Sequence, residues 1–423
     1  MKKIFILFVM VLVTVDVLPQ DNRSVWSGKC VPWTRGEGTE TSPYLIESAE
    51  NLAFLSYMCA SGYETFGLYF KLITDIDLNC SEGRPWNPIG AHLYYDYQTG
   101  CTTGYSMYRV FQGHFDGDGH CIYNLYSETN GGLFGVVNGS SGQHAVVQNV
   151  KVMSGVASEG GIAQRLINAT VRRCANKADV VSEYGNAGGI AGESTQSCKI
   201  VECYNEGNIN GVTAGGIVAA PRRSTISNCY NVGKVDGIEN AGGCVGQSLN
   251  NEFSNCYNVG DVTCGGSYIG GLIGRASNNE IVENSYYLNT CGAMGVGTPK
   301  SSEEMLDMSF VNLLNNNTDV WGSDDAFENQ GYPILKSNHT AVAEIAESGL
   351  LIYPNPANDI LTVECDGITS IVIYDVLGQS VLSVAVNNAK TTLDISDLGA
   401  GVYIISVNDN SRMPLVTRFV VTR

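Results

Sequence analysis

Five histidines and fourteen cysteines are the residues of this 423-residue chain best suited to hold a metal or supply a nucleophile. His114 and His120 bracket Phe115-Asp116-Gly117-Asp118-Gly119, and Asp-x-Asp-Gly is how a calcium loop begins. The later ligands of such a loop are missing, so the aspartates are expected to bond the backbone of a turn. No two cysteines have the CxxC spacing of a zinc site, and no metal or cofactor is expected. Cleaving a glycosidic bond by inversion needs two carboxylates about 6.5–9.5 Å apart. Asp179, Glu206, Lys234 and Asp261 recur at corresponding positions, but their types vary, and Arg222-Arg223 is a lone basic spot. These charges read as solvated surface. HExxH, GxSxG and Walker signatures are absent, and no catalytic residue is assigned. Residues 92–108 (HLYYDYQTGCTTGYSMY) hold Tyr94, Tyr95, Tyr97, Tyr105 and Tyr108, and read as a long loop whose rings stack on sugars or anchor a protein. The alternative is that these rings cover a flank of the fold, with Cys101 bridged to Cys80 or Cys121.

Composition narrows the classes. Lys plus Arg is 24 and Asp plus Glu 42, a net charge of −18, which excludes a nucleic-acid binder and disfavours anionic lipid. With 44% hydrophobic and 16% charged residues the chain is folded rather than disordered. Its 49 glycines are about 12% of the chain against the usual ~7%, and they imply many turns.

The middle of the chain is a repeat. Gly-Gly pairs begin at 131, 160, 188, 215, 242 and 270, each opening a short apolar run. Before each pair stands an apolar-x-x-apolar motif, which in four copies continues into CANKADV, CYNEGNI, CYNVGKV and CYNVGDV. A worn further copy begins at Ile281. Apolar stretches of about four residues at a period near 27 predict a right-handed parallel β-solenoid, with coils about 4.8 Å apart. In it Cys174, Cys203, Cys229 and Cys256 stack inward as small apolar groups, and Asn176, Asn205, Asn231 and Asn258 form an amide ladder. Gly207, Gly233 and Gly260 are expected to take the left-handed turn conformation. Tyr204, Tyr230 and Tyr257 form an aligned, half-buried row, with a sugar-binding stripe as the alternative. Residues 48–59 have helical spacing and are expected to close the front. At the rear, Ser301 with Glu304 is a capping box, and Met305, Leu306, Phe310, Leu313, Leu314, Trp321 and residues 331–335 are expected to seal the end. Gly132-Leu133-Phe134-Gly135 and Gly271-Leu272-Ile273-Gly274, with the approach PYLIESAENLAFLS, TDIDL, WNPIG and FQGHFDGDGHCIYNL, resemble the GLUG-repeat proteins of bacterial surfaces. The other copies depart, with Ile or Cys for Leu. That resemblance implies a fold and a surface location, not a reaction.

The two ends read as addresses. Met1-Lys2-Lys3 and the apolar run to Val15 form a secretory signal, too short to span a bilayer. No later segment approaches eighteen apolar residues, so no transmembrane helix is expected in the mature protein. From residue 350 the text turns to short alternating strands with Asp, Asn and Gly turns, a small β-sandwich. Tyr353-Pro354-Asn355-Pro356, the IYDVLGQ block with Gly378, LDISDLGAGVYII with Gly401 and Tyr403, and RFVV closely resemble the type A C-terminal sorting domain of the Bacteroidota type IX secretion system. The resemblance implies passage through the periplasm and the type IX translocon. It also implies removal of the domain by a sortase-like peptidase and attachment of the new end to lipopolysaccharide. The expected organisation is signal 1–20, N-terminal cap and approach 21–121, solenoid 122–297, C-terminal capping helix and seal 298–335, linker 336–349 and sorting domain 350–423. The expected protein is extracellular or on the outer-membrane surface. It is a non-catalytic adhesin or a module that binds glycan or host protein. A polysaccharide lyase or glycoside hydrolase is the alternative, and a passive spacer the third.

Overall fold

In a computed structural model the chain divides into two units that meet between residues 339 and 340. Residues 23–339 and 351–421 are described, apart from 92–93, 97–100, 104–108, 129–130, 141, 278, 326, 354–356, 365–366, 376–379, 387, 389, 400 and 409–414.

One turn of the first unit shows the whole design. The chain runs through Lys199–Val201, Tyr204–Asn205, Ile209–Gly215 and Val218–Pro221, then re-enters directly above itself at Thr225–Ser227. Each strand pairs in parallel with its counterpart in the next coil, as in Ile200↔Ile226, Tyr204↔Tyr230, Ile209↔Val235 and Val218↔Val245. Four stacked sheets result. In the order of one coil, sheet 1 has nine strands, sheet 2 ten, sheet 3 seven, one of them paired beside the main ladder, and sheet 4 six, among the described residues. Side chains alternate in and out along each strand. Phe70, Phe115, Val147, Val171, Ile200, Ile226 and Phe253 therefore form one inward column of sheet 1, none more than 2% exposed. Burying each such side chain contributes about 1.5–3 kcal/mol, and only the coils above and below can cover it.

The ladders begin well before the first Gly-Gly pair. Ser24–Val25 pairs with Ile76–Asp77, which pairs with Cys121–Tyr123, so the approach to the repeats already builds coils. Helix α1 (Ala49–Ala60), capped by Ser48, packs Leu52, Leu55 and Cys59 into the same core at this end.

Asn176, Asn205, Asn231 and Asn258 stand at the inner end of sheet 2, wholly buried. Each of the first three donates through Nδ2 to the Oδ1 of the next at 2.8 Å. Each of the four also donates to a carbonyl two residues on, at 2.7–2.9 Å. The second glycines of the four middle Gly-Gly pairs, Gly161, Gly189, Gly216 and Gly243, face this ladder. A Cβ on Gly189 or Gly216 would lie 2.4 or 2.3 Å from the amide carbon of Asn205 or Asn231.

Gly207, Gly233 and Gly260 do not take the left-handed conformation expected of them. The left-handed corner residues are Asn149, Arg173, Glu202, Asn228, Asn255 and Asn284, each one position before the buried Val150, Cys174, Cys203, Cys229, Cys256 or Ser285 that leads into sheet 2. The glycines are needed for close approach: a Cβ on Gly233 would lie 2.0 Å from the Gly207 carbonyl oxygen of the coil below.

The C-terminal segment covers a flank as well as following the last coil. Helices α2 (Ser302–Leu306), with the Ser301–Glu304 capping box, and α3 (Met308–Asn315) lead to paired strands Trp321–Gly322 and Ile334–Leu335. Met305, Phe310, Leu314, Trp321 and Leu335 pack on the outward tyrosines of sheet 2 as a second core. The end of the column itself is filled by Tyr287, Cys291 and Ala293. No helix among the described residues is long and apolar enough to cross a membrane.

The second unit has two antiparallel sheets, one of three strands and one of four, with a shared apolar core that includes Leu361, Ile371, Ile373, Ile405 and Phe419.

Asn205→Ala removes one rung and strands the amide groups of Asn176 and Asn231. Leaving a buried polar group unpaired costs about 1–3 kcal/mol. The urea midpoint is expected to fall by an amount of that order, while Asp236→Asn on the solvent side leaves it unchanged.

Candidate functional site

Sheet 1 carries two outward rows near its N-terminal end. Register places Tyr69, His114, Val146, Thr170 and Lys199 in one row, and Lys71, Asp116, Gln148 and Arg172 in the other. The intervening Phe70, Phe115, Val147 and Val171 are committed to the core, which forces these neighbours outward. With Glu40, Pro43 and Leu45 as a wall, Tyr69, His114 and Val146 of the first row and all four residues of the second line an open cleft of about 650 Å³, and Thr170 and Lys199 continue the first row beyond it. The Tyr69 and His114 rings stack at 4.3 Å between centroids and 6° between planes, giving a flat aromatic platform.

Beside the platform runs a hydrogen-bonded line. Asp116 accepts from the Asp118 backbone N–H and from Asn149 Nδ2, both at 2.9 Å. Its second oxygen accepts from Gln148 Nε2 at 2.9 Å, and Gln148 Oε1 accepts from Arg172 Nε at 2.7 Å. Lys71 pairs with Asp118 at 2.9 Å. Burial, reinforced by the Arg172 charge and opposed by Glu40, lowers the His114 pKa from the ordinary imidazole value. The ring is therefore neutral at pH 7, suited to stacking. Aromatic faces with fixed donors and acceptors at their rim are what a sugar ring needs, with C–H groups over the ring and hydroxyls to the side.

Other candidates from the sequence fall elsewhere. Asp116 and Asp118 form the expected turn, but His120 lies apart from His114, with Nδ1 2.9 Å from Asp75 Oδ1. No group of His, Cys, Asp or Glu among the described residues is arranged to hold a metal. Asp179 accepts from Asn208, and Glu206 pairs with Lys177 at 2.8 Å. Within 92–108, Tyr94–Asp96 and Cys101–Thr103 form a two-stranded antiparallel hairpin where a loop was expected. Tyr94 and Tyr95 are placed only by their backbone there, and Tyr97, Tyr105 and Tyr108 lie outside the described residues. Cys80 and Cys121 are free thiols, so neither bridges Cys101.

Tyr204, Tyr230 and Tyr257 stack with centroids 4.8 and 5.2 Å apart and planes within 3°. They are buried rather than half-buried, because Phe310 and Trp321 lie against them, and Tyr257 accepts from Asn329 Nδ2 at 2.7 Å. A sugar-binding stripe there is closed off. Cys174, Cys203, Cys229 and Cys256 are wholly buried free thiols, each within 3.1–3.3 Å of a carbonyl oxygen two residues back. Burial pushes the first three well above the ordinary thiol value.

In the tail, the Tyr353 hydroxyl donates to Glu364 at 2.8 Å, and Lys390 reaches both. Gly401 opens the strand Gly401–Asn408, in which Tyr403 stacks on Phe419 at 5.8 Å and donates to the Gly399 carbonyl at 3.1 Å. Pro354, Asn355, Pro356 and Gly378 lie outside the described residues.

These geometries frame the comparisons with known proteins. Residues 351–422 match the family of secretion system C-terminal sorting domains. Such a type IX tail marks the chain for secretion to the cell surface or the extracellular space. The chain is similar to a putative Gly-rich membrane protein of Evansella cellulosilytica, 32% identical over 140 residues, which are 31% of this chain and 13% of that protein. It is also similar to halomucin of Haloquadratum walsbyi, 31% identical over 271 residues, 60% of this chain and 3% of that protein. The chain thus spans a small part of both relatives. No solved structure matches.

The groove was missed in the sequence because its residues come from four separate coils. The available signal was the alternation in YFKL, HFD, AVVQ and ATVR, where aromatic and polar residues sit at the outward positions.

A thiol reagent applied to the native protein at pH 8 is expected to leave Cys174, Cys203, Cys229 and Cys256 unmodified while reaching the exposed Cys30. All four should react once denaturant opens the column, as read by peptide mass mapping.

Proposed function

We propose that this chain is a non-catalytic surface or secreted recognition module, a GLUG-type solenoid of a Bacteroidota cell, which holds a saccharide in the Tyr69–His114 groove. The stacked pair of rings beside the Asp116–Gln148–Arg172 line is the observation that carries this reading. The sorting tail supplies the route. In this reading the type IX translocon exports the protein, a sortase-like peptidase removes the tail, and lipopolysaccharide receives the new end. The column holds the groove on a rigid wall rather than on loops, so little ordering is needed when a ligand binds.

A glycan array probed with the mature protein is expected to give saccharide signals that Tyr69→Ala weakens about tenfold, the size expected for one lost stacking contact. Signals unaffected by Tyr69→Ala would move the site elsewhere, and release of new reducing ends or unsaturated sugar would make the protein an enzyme. Deleting residues 350–423 is expected to trap the protein in the periplasm, read by fractionation.

A further inference from the structure

The protein is strongly acidic, with 42 carboxylate side chains against 24 cationic ones, so a cation without a carboxylate partner on its surface is informative. Several cations of these coils are neutralised. Lys71 pairs with Asp118, Arg173 with Glu202 at 3.0 Å, Lys177 with Glu206, and Arg165 with Glu193 at 2.9 Å. Arg172 and Lys199 are different. Both are exposed, and neither forms an ion pair among the described residues. Thr170 is in register with Lys199 and Arg172 with Val201, so the two cations are diagonal neighbours on adjacent strands, about 7–8 Å apart at the backbone. Two like charges so placed repel each other.

Arg172 is also held in position. Asp116 fixes Gln148 through Nε2, which turns Gln148 Oε1 toward Arg172 Nε. The guanidinium is thus anchored through one edge, with its terminal nitrogens left for another acceptor. Asp116 is joined to Arg172 through Gln148, and its oxygens accept from Gln148, Asn149 and the Asp118 N–H. The strand bearing Arg172 lies two rungs from the strand bearing His114, and that bearing Lys199 three, so the cations stand about 10 and 14 Å along the sheet from His114. That offset suits the second or third ring of a chain whose first ring lies on Tyr69 and His114.

We infer that the groove's ligand is an acidic oligosaccharide, one ring stacked on Tyr69–His114 and a carboxylate or sulfate further along bound by Arg172 and Lys199. This rests on the saccharide reading of the groove given above. An exposed guanidinium binds such a group through paired N–H bonds, and Lys199 adds a point charge. Binding should therefore weaken as salt is raised.

The test is titration calorimetry on the mature full-length protein with four probes of matched length. These are galacturonic acid oligomers, their methyl esters, a sulfated galactan oligomer and its desulfated form. At least one acidic probe is expected to bind about tenfold more tightly than its neutral counterpart in low salt. Which acid is preferred distinguishes carboxylate from sulfate. Arg172→Gln and Lys199→Gln, both exposed and checked for unchanged circular dichroism, should each reduce that preference, while Tyr69→Ala should weaken acidic and neutral probes alike. Equal affinity for acidic and neutral partners, unmoved by Arg172→Gln, would overturn the acidic-ligand inference and leave the saccharide groove standing. Binding by none of the probes, or binding indifferent to Tyr69→Ala, would overturn both.

Discussion

Asn176, Asn205, Asn231 and Asn258 carry polar amides in the interior of the column, where an unmatched donor or acceptor is costly. Their partners are each other and the carbonyls of their own turns, and those partners exist only when successive coils are in register. Two kinds of glycine let the coils come close enough. Gly161, Gly189, Gly216 and Gly243 make room for the asparagines, and Gly207, Gly233 and Gly260 let one turn rest on the carbonyl of another. The ladder ends where Val152 and Tyr287 take the corresponding positions. Asn176 Oδ1, facing the valine end, has no hydrogen-bond partner there.

This constraint explains why coils of unequal length stack at all. Successive asparagines are 29, 26 and 27 residues apart, yet their amides meet at the same 2.8 Å. The surplus is absorbed in sheet 3, where Asp179–Gly188, Ile209–Gly215 and Val235–Gly242 differ in length and their register shifts at bulges. With the inner face fixed, the outer face is free to differ from coil to coil. On sheet 1 it carries the aromatic platform and its polar line. On sheet 2 it carries stacked tyrosines, and these are covered by α3 and Trp321.

The repeat was legible because burial in a stacked column imposes the same residue at the same place in each coil. Cys203, Asn205 and the Gly-Gly pairs announce themselves by recurrence, and the solenoid follows from them. The helix at Ser48 and the capping box at Ser301 were readable from local chemistry alone. The role of Gly233 was misread because a glycine needed for close approach looks, in one dimension, like a glycine needed for a left-handed turn. The tyrosine row was under-buried in the sequence reading, since nothing in CYN tells that Trp321 will fold back over it. The groove was the least visible feature. Tyr69 and His114 lie before the repeats, Arg172 is a variable position within one, and only parallel register brings them together.

Hydrogen exchange of the backbone amides in the mature protein tests the stacking account most directly. If each coil is held by its neighbours, the slowest amides lie in Tyr204–Asn205, Tyr230–Asn231 and Tyr257–Asn258, with protection declining toward both ends of the ladders. Protection greatest in α1 or in the C-terminal unit, with fast exchange through these central strands, would contradict it.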